Sequence, residues 1–145
     1  MTTTLFPKKC VTANNHPQIV FEEKRSKITF ENPIAAQYLA VKVDGCVFNT
    51  QDGRKCDYLL QSVEHGDQYF VELKGSDTSS AVEQLNDTID RIPPSKSNAS
   101  RMAFAVFSNR CPKNDSTRQA IEKRFYKKGV KLSFCSTGKT YKLSR

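Results

Sequence analysis

Asp57, Glu72 and Lys74 are the residues whose types and spacing could do chemistry. Asp57 leads into the apolar run Tyr58-Leu59-Leu60, and Glu72 and Lys74 interrupt the next one, Gln-Tyr-Phe-Val-Glu-Leu-Lys. Side chains on a strand alternate between faces, so Phe70, Glu72 and Lys74 share one face and Tyr69, Val71 and Leu73 the other. Two nearby carboxylates offer hard oxygen ligands to a divalent cation such as magnesium, which keeps several waters and accepts substrate phosphate. A cation so held neutralises charge growing on a phosphate, and a neighbouring ammonium can orient or deprotonate the attacking water. Hydrolysis of a phosphodiester asks for that set. The simpler reading is a cross-strand salt-bridge ladder facing solvent, which contributes little.

Whether Asp57 joins the other two depends on the parity of the hairpin. Opposite residues of an antiparallel pair have a constant sum of numbers. A sum of 131 sets Asp57 opposite Lys74, and a sum of 129 sets it opposite Glu72. Either odd sum gathers all three charges on one face, whereas an even sum sends Asp57 to the other face unless a bulge intervenes.

The elements that must position these residues follow from pattern. Gln18–Phe21 and Lys27–Phe30 are β-like runs around a charged turn and predict a hairpin. Asn32 and Pro33 resemble the start of a helix carrying Ile34, Ala35, Tyr38 and Leu39 on one face. Asp44-Gly45 and Asp52-Gly53 are turn signals. Strands over 56–63 and 68–75 come next. Val82, Leu85, Ile89 and Ile92 then fall at helical spacing, with Ser80 and Glu83 as a capping box and Pro93-Pro94 as the stop. The nearly continuous apolar run 101–108 reads as a strand covered on both faces. A second helix spans 112–129, and two strands around Thr137-Gly138-Lys139 close the chain. Residues 1–17 read as a polar lead-in broken by Pro7, Asn14, Asn15 and Pro17. The expected fold is a single α/β (α+β) domain over 1–145, a mixed sheet with helices packed against it.

Composition narrows the function classes. A chain of 145 residues with 37% hydrophobic residues suits one globular domain. No apolar run reaches the ~20 residues that span a bilayer, and the first residues lack the apolar segment of a secretory signal, so a cytoplasmic location without membrane contact is expected. The five cysteines are odd in number and lack C-x-x-C spacing, which points to unpaired core thiols rather than a disulfide framework or zinc site. The net charge of +8 favours polyanions, of which nucleic acid is the commonest soluble one.

Asp57, fourteen intervening residues and Glu72-Leu73-Lys74-Gly75, set in this order of elements, resemble the PD-(D/E)xK nuclease superfamily. That is the restriction-endonuclease-like fold, which includes small Holliday-junction resolvases. The resemblance covers about 33–107: a helix, three antiparallel strands, a helix and a strand. It implies a metal-dependent endonuclease acting on DNA. Asp57, Glu72 and the Leu73 carbonyl would hold Mg2+ or Mn2+, Lys74 would be catalytic, and Gln84 would assist from the helix after the motif. Some members add an acid near the first helix; Glu22, Glu23 and Glu31 lie in that part of the chain. Related nucleases often act as homodimers, though no dimer face is legible in the sequence. Cys56 stands where the motif usually has proline. The alternative is a module of the same fold that has lost catalysis and binds nucleic acid or a protein partner.

The remaining candidates are basic. Lys96, Arg101, Lys127, Lys128 and Lys139 are the residues expected to track a DNA backbone, against a plainer reading as solvated charges. His16 and His65 have no ligand-spaced neighbours, and Ser136–Lys142 lacks the upstream glycine of a phosphate loop and reads as a basic turn.

Overall fold

The computed structural model describes residues 6–48, 55–74 and 77–144, with the side chain of Lys74 outside that description. Asp52-Gly53 lies outside the described residues as well.

The hydrophobic periodicity sorts the chain into three layers. Six strands form the central sheet: β1 (Val11–Asn14), β4 (Tyr38–Lys42), β5 (Tyr58–Ser62), β6 (Gln68–Lys74), β7 (Arg101–Phe107) and β8 (Val130–Ser136), in the order β1-β4-β5-β6-β7-β8. The first four are antiparallel neighbours; β6, β7 and β8 are parallel. Parallel neighbours need crossovers, and these are α1 (Thr78–Arg91) and α2 (Ser116–Lys127). A second sheet holds β2 (Gln18–Glu23), β3 (Ser26–Glu31) and β9 (Lys139–Lys142), with β9 parallel to β3.

Strand alternation makes two cores from one central sheet. Leu59, Phe70, Ala103 and Ala105 face Val82, Leu85 and Ile89 of α1 and Phe125 of α2. Leu60, Tyr69, Val71, Phe104 and Val106 face Ile19, Phe21, Ile28 and Phe30 of the smaller sheet. Phe30 is at its centre, within 5.4 Å of the Phe104 ring and 5.7 Å of Tyr69. The run 101–107 is thus covered on both sides, as its composition predicts.

Two expectations fail near the N-terminus. Residues 33–37 form no helix, and β4 begins at Tyr38. Asn32, 1% exposed, instead closes a loop: its side chain donates to Ala36 O at 2.8 Å and accepts from Ala36 N–H at 3.1 Å. Helix propensity differs by only about 0.5 kcal/mol per residue. Burying Tyr38 and Val41 between the layers contributes about 2 kcal/mol each, so packing decides. The lead-in also contains a regular element, since β1 pairs along β4 from Val11↔Val41 to Asn14↔Tyr38.

The cysteine reading is corrected too. Cys10 and Cys46 form a disulfide with Cα atoms 5.6 Å apart, while Cys56, Cys111 and Cys135 are thiols. Thirty-six residues separate the pair, and only the β1–β4 pairing brings them together, so no spacing rule could show it. Among the described residues no helix is long and apolar enough to cross a membrane.

Candidate functional site

The parallel strands give the sheet two distinct edges. Gln68, Arg101 and Val130 start β6, β7 and β8 at one level, and Lys74, Phe107 and Ser136 end them at another. Six residues separate the levels, about 20 Å along a strand. Open sheets with parallel strands bind ligands beyond the carboxyl ends. Glu72 and Leu73 sit at that carboxyl edge.

The hairpin register is odd through the body of the strands: Tyr58↔Val71 and Gln61↔Gln68 both sum to 129. At Asp57 it changes. The Asp57 N–H donates to the Val71 carbonyl at 3.1 Å, although Val71 is already the partner of Tyr58. Two consecutive residues against one is the count of a β-bulge. Beyond it, Cys56 rather than Asp57 takes the α1 face: it is fully buried there, and its N–H donates to Thr88 Oγ1 of α1 at 2.7 Å. The simple face-sharing expected of Asp57, Glu72 and Lys74 therefore does not hold at Asp57.

The bulge brings the Asp57 carboxylate to β6 by another route. Oδ2 accepts from the Leu73 N–H at 2.8 Å, in the position a ladder carbonyl would otherwise fill. Backbone carbonyls two apart on a strand point the same way. Val71 O points at β5, so Leu73 O also points toward the side where Asp57 lies. Glu72, next in the chain, is 3% exposed. Its charge reaches Cys56, whose thiol is pushed up first by burial and then by Glu72 and, more weakly, Asp57. Asp57, through its bond to Leu73 N–H, and buried Glu72 thus belong to neighbouring positions at the end of β6. Lys74 continues the backbone pairing as the partner of Phe107; its side chain lies outside the described residues.

Gln84 lies beside this edge. Its Oε1 accepts from the Lys55 N–H at 2.6 Å, and its carbonyl accepts from Thr88 Oγ1 at 2.8 Å. Gln84 and Thr88 together hold the strand that delivers Asp57. The helix that carries them starts earlier than Ser80 suggests: Asp77 is the N-cap, and its carboxylate accepts from Ser80 N–H at 3.1 Å.

A neighbour not assigned from sequence is Tyr58. Its hydroxyl donates to Glu23 of β2 and its ring stacks on Phe21 at 4.8 Å. Partial burial first, then Glu23, pushes the phenol up. Sequence pattern ends the strand at Phe21 and leaves Glu23 in the charged turn; β2 runs on to Glu23, whose place over Tyr58 required the packing of one sheet on the other.

The five nominated basic residues divide. Arg101, Lys96, Lys127 and Lys128 lie at the amino edge, away from Asp57 and Glu72. Arg101 is committed inside the fold. Nε donates to Gln68 Oε1 at 2.9 Å, Nη2 to the carbonyls of Ile89 (3.2 Å) and Ile92, and the guanidinium lies 5.3 Å from the Phe70 ring centre. Burial holds its pKa below the usual value. Lys96 Nζ donates to Glu64 O, and Lys128 Nζ bonds Asn86 at 2.6 Å and Asp90 at 2.7 Å. Lys139 alone is at the carboxyl edge, just past the turn whose Thr137 N–H bonds Phe107 O at 2.8 Å.

Among the described residues no group of three or more His, Cys, Asp or Glu side chains is placed to hold a metal ion. The donor set at Asp57, Glu72 and Leu73 O fits the smaller requirement of magnesium, which takes one or two carboxylates and keeps water. Comparison with family models, curated proteins and solved structures gives no match.

Proposed function

We propose that the protein is a metal-dependent nuclease of the restriction-endonuclease-like kind, hydrolysing phosphodiester bonds in DNA. The observation that carries this is the 2.8 Å hydrogen bond from Leu73 N–H to Asp57, which sets a second carboxylate beside buried Glu72 at the carboxyl end of β6. A salt-bridge ladder in solvent would not bury Glu72.

Mg2+ or Mn2+ held by Asp57, Glu72 and the Leu73 carbonyl would supply positive charge to the phosphate and a more acidic water. The chain does the rest. Asp57 and Glu72 fix the oxygen positions; the bulge and Gln84 fix Asp57. Lys74 orients the water and stabilises the charge that builds as its oxygen bonds to phosphorus. One P–O ester bond breaks; the proton that the attacking water loses passes to solvent, and the departing oxygen takes one from solvent and leaves as a hydroxyl.

The test is cleavage of linear, nicked and branched DNA with Mg2+ or with EDTA, beside Lys74→Ala. Cleavage by the wild type only with the metal, lost in Lys74→Ala, is expected. Metal-independent cleavage, or binding without cleavage on all three substrates, contradicts the reading.

A further inference from the structure

We propose that the turn between β2 and β3 is a phosphate-binding element, with Lys24 and Arg25 holding the nucleic-acid backbone next to the site of cleavage. The assignment rests on the nuclease reading for its substrate and on separate geometry for its place.

An indentation of about 360 Å3 opens beside Leu73, the residue whose backbone links Asp57 to Glu72. Lys24, Arg25 and Ser26 form one wall and Ser108 and Asn109 another, with Glu23 at the margin. A phosphodiester strand crossing Leu73 would therefore meet two cations on one side and amide and hydroxyl groups on the other. Lys139, exposed on the adjoining turn, extends the positive charge along the same edge.

The turn is fixed to that edge. Thr137 N–H donates to Phe107 O at the end of β7, and Thr137 Oγ1 accepts from Lys27 N–H at 2.9 Å and donates to Arg25 O at 3.2 Å. The Tyr58 hydroxyl holds Glu23 from the β5 side. The two side chains are exposed, and among the described residues neither is in a salt bridge, whereas Lys128 of the opposite edge is.

The turn is also locally unfavourable. Lys24 has φ +48°, a left-handed conformation in a two-residue hairpin turn where glycine or asparagine would sit at lower cost. A side chain there costs about 1 kcal/mol. A charged residue at such a position, beside the candidate site, accords with strain held at functional places.

The test is fluorescence anisotropy of a short labelled DNA duplex in EDTA, so that no cleavage occurs, across about 50 to 200 mM salt. The variant is Lys24→Gly with Arg25→Gln, which removes both charges and suits the turn conformation. Each lost phosphate contact lowers the salt slope by about 0.9, so the double variant should lose about 1.8 and bind severalfold more weakly at low salt. Lys127→Ala with Lys128→Ala should leave the slope unchanged. An unchanged slope in the turn variant, a larger loss from the Lys127 and Lys128 pair, or no binding by the wild type overturns the proposal. Turn-dependent binding by a wild type that never cleaves would leave this site standing and remove the nuclease reading alone. Cleavage without turn dependence would do the reverse.

Discussion

The two edges of the central sheet carry similar residue types and use them differently. At the amino edge Arg101 is a structural group, donating to Gln68 and to the last carbonyls of α1 while lying over Phe70. Carbonyls at a helix C-terminus attract cations, and a half-buried guanidinium satisfies several at once. At the carboxyl edge Glu72 is buried and Asp57 is tied to Leu73 within the fold, while Lys24 and Arg25 stand exposed beside them, in no salt bridge among the described residues. Charge type alone therefore does not mark a ligand site. What separates the edges is that the fold closes around Arg101, Lys96 and Lys128 at one, whereas Lys24 and Arg25 at the other face solvent.

The sharpest way to break this contrast is Asp57→Asn. The amide oxygen can still accept from Leu73 N–H, so the bulge should persist, while plasmid cleavage falls about a thousandfold. A folded variant with wild-type cleavage would remove the distinction between the edges.

The Cys10–Cys46 bridge braces the carboxyl edge, because Val43, three residues before Cys46, donates its N–H to Asp57 O at 3.0 Å. Replacing Cys10 with Ser should lower stability by about 3 kcal/mol in urea unfolding. At the amino edge, Arg101→Ala should cost about 2 kcal/mol and leave cleavage per folded molecule unchanged. Loss of cleavage at wild-type stability would place Arg101 in the site instead.

Gln84→Ala should cost about 1 kcal/mol and reduce turnover severalfold, and Gln84→Glu, which keeps the acceptor for Lys55 N–H, should recover stability. The last effect is confined to alkaline pH. Burial pushes the Cys135 thiol up to about 11 from an ordinary 9.0. Above pH 9 the unfolded chain releases this proton while the folded chain keeps it, so stability should fall between pH 9 and about 11. Cys135→Ala should flatten that decline in thermal melts over the same range.

Much of the fold is legible in the sequence where local pattern and tertiary packing agree. The alternation of 68–74, the helical spacing of Val82, Leu85 and Ile89, and the apolar run 101–107 each match the element formed. They disagree at 33–40, where an Asn-Pro helix signal is overridden by the burial of Tyr38 and Val41 in β4. Asp57 and Glu72 could be nominated from residue type and spacing. The bulge between them could not, since it depends on which backbone groups meet across two strands. Lys24 and Arg25 read as a charged turn. Their place beside Leu73 follows from the smaller sheet packing over β5 and β6, which no single-chain pattern encodes.

The central claim is that Asp57, Glu72 and the Leu73 carbonyl hold one divalent cation at the end of β6. Electron paramagnetic resonance of free Mn2+ during titration of the protein tests it without any nucleic acid. The account predicts one Mn2+ bound per chain, lost in both Asp57→Asn and Glu72→Gln and retained in Lys127→Ala. Mn2+ binding that survives in both carboxylate variants, or a wild type that takes up none, would contradict it.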